Sequence, residues 1–134
     1  MKASSLCFQA AVLFVIAGMV WGIIMAVSEN HAAMPAHAHL NLLGWVSLFL
    51  FGVYYRLHPA LESNRLALVQ VWTWILGTAV LVTGVGLIFT SHPGAEPLAG
   101  IGSVIALVAM IIFAWVVFRT ENVRVHRPAM APAE

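Results

Sequence analysis

Four apolar stretches, each close to the roughly 20 residues a helix needs to cross a ~30 Å hydrocarbon layer, take up nearly the whole chain. They run from about Leu6 to Val27, Leu40 to Tyr55, Leu66 to Thr90 and Leu98 to Phe118. The second is the shortest, so its ends are expected to extend to His37 and Leu57, placing polar groups at the membrane interfaces. Strands of a membrane barrel would alternate apolar and polar residues, whereas Val80–Phe89 and Val104–Val117 are apolar almost without interruption. Helices are therefore expected. The connections read as breaks: Ser28–Pro35 carries Glu29, Asn30 and His31, His58–Arg65 carries Pro59, Glu62 and Asn64, and Ser91–Pro97 holds two prolines and a glycine. Only 8% of the residues are charged, against about 25% in soluble domains. The expected fold class is an all-α membrane protein, a four-transmembrane-helix bundle over residues 1–118, followed by a flexible tail over residues 119–134.

Charge sets the expected orientation. If four helices alternate, every basic residue falls on one side: Lys2 before the first, Arg56 and Arg65 between the second and third, and Arg119, Arg124 and Arg127 after the fourth. The positive-inside rule then places both termini in the cytoplasm of a bacterial-type inner (plasma) membrane. Glu29 and Glu96 lie on the other side, with no Lys or Arg. Lys2 before an apolar run resembles a secretory signal, but that run exceeds a 7–15-residue signal core, so it is read as an anchor. A net charge of +1 and a single cysteine leave no basis for a nucleic-acid partner or a disulfide scaffold.

With this topology the histidines separate: His31, His37, His39 and His92 lie at the outer surface, His58 and His126 at the inner one. Histidine is tolerated at an interface, but His37 and His39 enter the membrane in Ala36-His37-Ala38-His39-Leu40-Asn41, where polar side chains are usually functional or paired. Residues two apart on a helix point about 200° apart, so these two rings face different neighbours and do not serve one iron from opposite sides. The i,i+4 pair of a His-Glu-x-x-His zinc helix is absent, as is a cysteine pair. A copper or zinc site drawn from His31, His37, His39 and His92 remains open, because loop residues can fold back.

No nucleophile and base arrangement stands out. Ser47, Thr73, Thr78 and Thr83 lie within apolar helices, where hydroxyls bond to the backbone or across helices. Gly77, Thr78, Gly84 and Gly86 in the third stretch, with Gly100 and Gly102 in the fourth, predict close helix packing. Trp72, Trp74 and Trp115 suit an aromatic interface belt.

The segment from His37 to Pro59, with His37-Ala-His39, then Leu43-Gly44-Trp45-Val46, then Gly52, Tyr54 and Pro59, resembles a haem-ligating helix of the catalytic subunit of haem-copper oxidases. The likeness is nearest to the cbb-type branch, with nitric oxide reductases further off. The resemblance implies that His37 ligates a high-spin haem and His39 a low-spin haem. Gly44 and Gly52 would then leave room for a flat macrocycle or a neighbouring helix. The family subunit has about twelve helices, a further low-spin ligand, three copper histidines and a tyrosine beside the metal. This chain has four crossings and no histidine inside the other three, so a complete oxygen- or nitric-oxide-reducing centre is not implied. The expectation is a membrane b-type cytochrome for electron transfer, or for haem, gas or redox sensing. Haem b is expected because Cys7 stands alone, without a Cys-x-x-Cys-His attachment motif. Its expected contacts are His37, His39, His92, His31, Gly44 and Trp45, with His92 or His31 as second axial ligand, or a histidine from another copy of a dimer or trimer. Partners would be the lipid bilayer and a redox protein. The alternative is a non-enzymatic copper- or zinc-binding membrane protein or assembly factor.

Overall fold

The computed structural model describes residues 1–90 and 92–125. Among them, four helices are long and apolar enough to span a membrane: α1 (Ala3–Ser28), α2 (Met34–Leu57), α3 (Arg65–Phe89) and α4 (Glu96–Val125). The chain is a four-helix membrane bundle, with no strand among the described residues. The second crossing is longer than its apolar run suggested. Pro35 sits in its first turn, where a missing N–H costs nothing, so His37 and His39 fall inside the helix and not at its edge. Helix α4 continues past the expected end at Phe118 to Val125. His126 and Arg127 lie outside the described residues.

The helices form two antiparallel hairpins. In α3–α4 the glycines bring backbone to backbone: a Cβ on Gly77 would lie 2.7 Å from the Ala106 nitrogen, Gly84 faces the Ala99 backbone, and Gly102 faces that of Leu81. Any side chain at these three positions would push the pair apart. Gly100 meets nothing within 4 Å and takes no part. In α1–α2 the glycines receive rings, Gly44 seating Phe14 and Gly52 seating Phe8. Phe51 of α2 joins the hairpins, meeting Trp74 of α3 edge-on at 5.0 Å and Phe113 of α4 at 4.4 Å between ring centroids. The Tyr55 hydroxyl donates to Gln70 Oε1 at 2.9 Å across the same seam.

The core is uneven along the membrane normal. Leu6, Cys7, Leu48, Phe51, Tyr55, Val71 and Trp74 belong to a large cluster in one half, whereas the histidine-bearing half holds a smaller cluster of Ala36, Leu40 and Val82, with Phe14, Trp21 and Val85 against them, and the separately buried Met25 and Ala33. Trp74 is thus a core residue, 3% exposed, and does not join an interface belt; Trp72 and Trp115, at 54% and 63%, remain outside. Val12, Leu13, Ile16, Met19, Val20 and Ile23 of α1 are exposed, an apolar outer surface suited to lipid.

The thick end of the core is closed by a charged clamp. The first turn of α1 leaves N–H groups without intrahelical partners, and Lys2 at the cap position offers no side-chain bond. Glu62, from the α2–α3 loop, supplies the missing acceptors. Ser4 donates its N–H to Oε2 at 3.2 Å and its hydroxyl to Oε1 at 2.6 Å, while the Ala3 N–H donates to the Glu62 carbonyl at 2.8 Å. Arg56 Nε donates to Ser4 Oγ at 3.2 Å and stands 3.5 Å from Glu62 Oε1. The carboxylate also answers the positive end of the α1 dipole. This clamp and the four crossings bring Lys2, Arg56, Arg65 and Arg119 to one end of the bundle, opposite the histidines at 31, 37, 39 and 92.

Burial alone would raise the Glu62 carboxyl. The Ser4 hydroxyl and N–H, with the cations of Arg56 and Lys2, outweigh it and hold the group below the ordinary carboxylate value. Because the folded-state value is depressed, the clamp stabilises the fold above the unfolded value of about 4.3 and the contribution disappears as pH falls through the folded value. Glu62→Gln should therefore cost about 1 kcal/mol at pH 7, in the range of a lost helix cap. Thermal unfolding in detergent at pH 7 and again well below pH 4 checks this: the two proteins should converge in acid, and an equal gap at both pH values would show that the carboxylate charge is not what matters.

Candidate functional site

Helix α2 is built in three pieces. An α-helical start, Met34–His39, is followed by a π-helical segment, Leu40–Ser47, and an α-helical remainder, Leu48–Leu57. The π segment carries wider i→i+5 turns, which are uncommon and concentrate at functional sites. Carbonyls in it and just before it accept from side chains. The Trp74 indole N–H of α3 donates to the Leu43 carbonyl at 3.0 Å, the Ser47 hydroxyl to that of Leu42 at 2.9 Å, and the Asn41 amide to that of His37 at 2.9 Å.

His37 and His39 both lie in the piece before this segment, so the 200° divergence of an ordinary helix applies to them. His37 turns toward α1, where a Cβ on Gly22 would lie 3.2 Å from its Cε1. Asn41 follows it one turn on. Its Nδ2 is 3.2 Å from His37 Nε2, and its Oδ1 occupies the space over Gly18, 2.7 Å from where a Cβ would be. Gly18 and Gly22 form a small-xxx-small groove of the kind that usually lets two backbones approach; here it admits two polar side chains. Neither glycine was read from the sequence as a seat for polar side chains, although Gly18-Met-Val-Trp-Gly22 carries the spacing that could have flagged the pair.

His39 takes the other direction. Its Nδ1 is 2.7 Å from the Pro35 carbonyl, one turn back. A carbonyl only accepts, so the proton of this bond sits on Nδ1 and the neutral ring presents Nε2 as a lone pair. That is the arrangement in which a ligating histidine is oriented by its second nitrogen. Leu42, three residues on, is 61% exposed, and below it Trp45, Val46, Phe49 and Leu50 surround a shallow depression of about 270 Å³. His39 therefore heads an apolar, largely exposed stripe of α2 that α1 touches at its far end, where Phe8 meets Phe49 at 5.1 Å between ring centroids, and Trp45 lies on the same stripe. Gly44 does not: it belongs to the contact with Phe14 of α1.

The two loop histidines share this end without joining a cluster. His31 is exposed, its Nδ1 3.3 Å from the Glu29 carbonyl in a tight turn where Glu29 adopts φ 53°. His92 is exposed at the start of a 3₁₀ turn, its N–H donating to the Leu87 carbonyl at 2.9 Å. Among the described residues no three His, Cys, Asp or Glu side chains converge as a metal cluster. His58, at the opposite end, bonds through Nδ1 to the Tyr54 carbonyl at 2.7 Å and stacks on the Tyr54 ring.

The Trp74 bond to the π segment gives a direct test. Trp74→Phe should cost about 1–3 kcal/mol, the penalty for a buried carbonyl left without its donor, whereas Trp72→Phe on the exposed side of α3 should stay within about 0.5 kcal/mol. Denaturation midpoints of the two variants decide it, and equal shifts would count against a structural role for the indole N–H.

No family model and no solved structure matches the chain. Curated proteins do. Cytochrome c oxidase subunit 1 of Thermus thermophilus is 29% identical over 131 residues, an alignment covering 80% of this chain and 23% of that protein. A second Thermus thermophilus protein of the same name is 35% identical over 65 residues, covering 43% of this chain and 60% of the relative. The chain thus spans under a quarter of the length of the first and about three-fifths of the second. Its similarity, a distant one, is to subunit 1 of cytochrome c oxidase.

Proposed function

We propose that this protein is a membrane-embedded, b-type haem protein in which His39 is an axial ligand and the haem lies on the exposed stripe of α2. The observation that carries the reading is the 2.7 Å bond from His39 Nδ1 to the Pro35 carbonyl, which fixes the ring and leaves Nε2 as a donor at the head of an apolar face. A porphyrin needs one or two protein ligands and a dry flat wall, and this geometry offers one ligand and one wall. A tetrahedral zinc or copper site would need three or four, and His31, His37, His39 and His92 do not converge that way. The similarity to cytochrome c oxidase subunit 1 supports a haem-related redox role, and the resemblance of His37–Pro59 to a haem-ligating helix, read from the sequence alone, points the same way.

Bound there, the haem would supply one-electron redox chemistry; the chain orients the ligand, excludes water with Leu42, Trp45 and Phe49, and sets the basicity of His39 through Pro35. The other wall would come from a further copy of the chain, whose α2 stripe would face this one, and a second histidine from that copy or from His92. Electron transfer to a redox partner fits the chain better than oxygen reduction, for which a copper histidine set would be needed. The one-sided basic residues favour an orientation with the histidine end outside and both termini in the cytoplasm.

The full chain, produced in membranes with a haem supply, should purify with non-covalent haem by pyridine haemochrome analysis. His39→Ala should lose essentially all of it while His37→Ala keeps a substantial share. A colourless wild type, or His39→Ala with unchanged haem content, overturns the reading, and stoichiometric copper or zinc in a colourless protein would favour a metal carrier. Independently, a reporter fused after Glu134 should show cytoplasmic activity; periplasmic activity would reverse the orientation.

A further inference from the structure

The basic end of the bundle holds a groove that the proposed haem chemistry does not use. It lies between the α2–α3 loop, the start of α3 and the last part of α4, and encloses about 480 Å³, within the size range of small-ligand sites. Its walls are mainly apolar, from Pro59, Leu61, Leu66, Trp115 and Val116, and Arg119 contributes a cation. Among the described residues no carboxylate lines it. The neighbouring Glu62 faces Ser4 and Arg56 instead, and Arg119 makes no ion pair among the described residues.

We propose that this groove binds an anionic phospholipid, its phosphate against Arg119 and the upper part of an acyl chain along Trp115 and Leu66. Three features favour that occupant. Trp115 and Arg119 stand four residues apart on α4 and so share one face, an indole one turn nearer the hydrocarbon than the guanidinium. That vertical order matches an amphiphile lying along the membrane normal, with tryptophan at headgroup level. Trp115 is 63% and Leu66 38% exposed, so a chain can enter sideways from the bilayer. Finally, Lys2, Arg56 and Arg65 share this end, and basic pockets between transmembrane helices select anionic headgroups. A zwitterionic lipid carries the phosphate together with a cation that offsets it, and a neutral apolar molecule would have no use for the guanidinium.

The experiment uses the full chain in phosphatidylcholine nanodiscs containing either dibrominated phosphatidylglycerol or dibrominated phosphatidylcholine. Bromine quenches tryptophan on contact, and the difference between wild type and Trp115→Phe isolates the Trp115 signal from the other tryptophans. Half-quenching of that signal should need about five-fold less of the brominated anionic lipid than of the zwitterionic one. Arg119→Gln should abolish the preference, whereas Lys2→Gln, which removes a charge from the same end outside the groove, should keep it. Arg119 is exposed, and helical circular dichroism unchanged from wild type shows that its replacement leaves the fold intact. Equal quenching by the two lipids in the wild type overturns the proposal. So does a preference that survives in Arg119→Gln, or one lost equally in Lys2→Gln, which would report general surface charge and not a site.

Discussion

A carbonyl inside a bilayer has no water to accept from, and the middle of α2 is organised around that constraint. Leu40–Ser47 exchanges the α-helical ladder for wider i→i+5 turns at membrane depth, and donors from outside the ladder reach its carbonyls. Trp74 reaches across from α3, Ser47 turns back on its own helix, and Asn41 covers the His37 carbonyl. The packing follows from this. Trp74 is drawn from the lipid boundary into the core, where Phe51 meets it edge-on, and Phe51 in turn carries the contact to α4. One irregular stretch therefore fixes how the two hairpins sit together.

The crossings were legible in the sequence because length and hydrophobicity suffice to announce them. Their ends were less so: Pro35 and the residues up to Val125 are helical although the apolar runs stop short. The π segment could not be read, since a run as apolar as Leu42–Leu43–Gly44–Trp45–Val46 carries no periodicity to distort. Trp74 was misplaced for the same reason: an indole in a membrane helix suits an interface unless a carbonyl of a neighbouring helix turns toward it, and that carbonyl was invisible. The divergence of His37 and His39, by contrast, was readable from spacing alone because both precede the irregular stretch. The small residues were half legible. Gly77, Gly84 and Gly102 do bring backbones together, but Gly100 faces open space, and Gly18 and Gly22 admit polar side chains where their spacing suggests a helix dimer.

The two ends of the bundle divide the labour that a small membrane protein must perform. The basic half holds the aromatic core, the Tyr55–Gln70 bond and the clamp on α1, and can be rigid without help. The histidine half has a smaller cluster, Ala36, Leu40 and Val82, with partly buried residues around it, so its interior is thinner. A group docked against that half would add apolar contact where the chain itself supplies least, which couples binding at His39 to stability by mass action.

The Ser4–Glu62 clamp joins residues 58 positions apart. Until α2 has crossed the membrane and returned the loop to the starting side, the first turn of α1 has no acceptor for its amides and Glu62 has no donors. The bond therefore closes only when the first two crossings have gone in as a pair, with the loop on the same face as the start of α1. During synthesis it would act as a latch on the hairpin: a chain whose second crossing failed to insert would be left with a frayed leading helix and an unpaired acid.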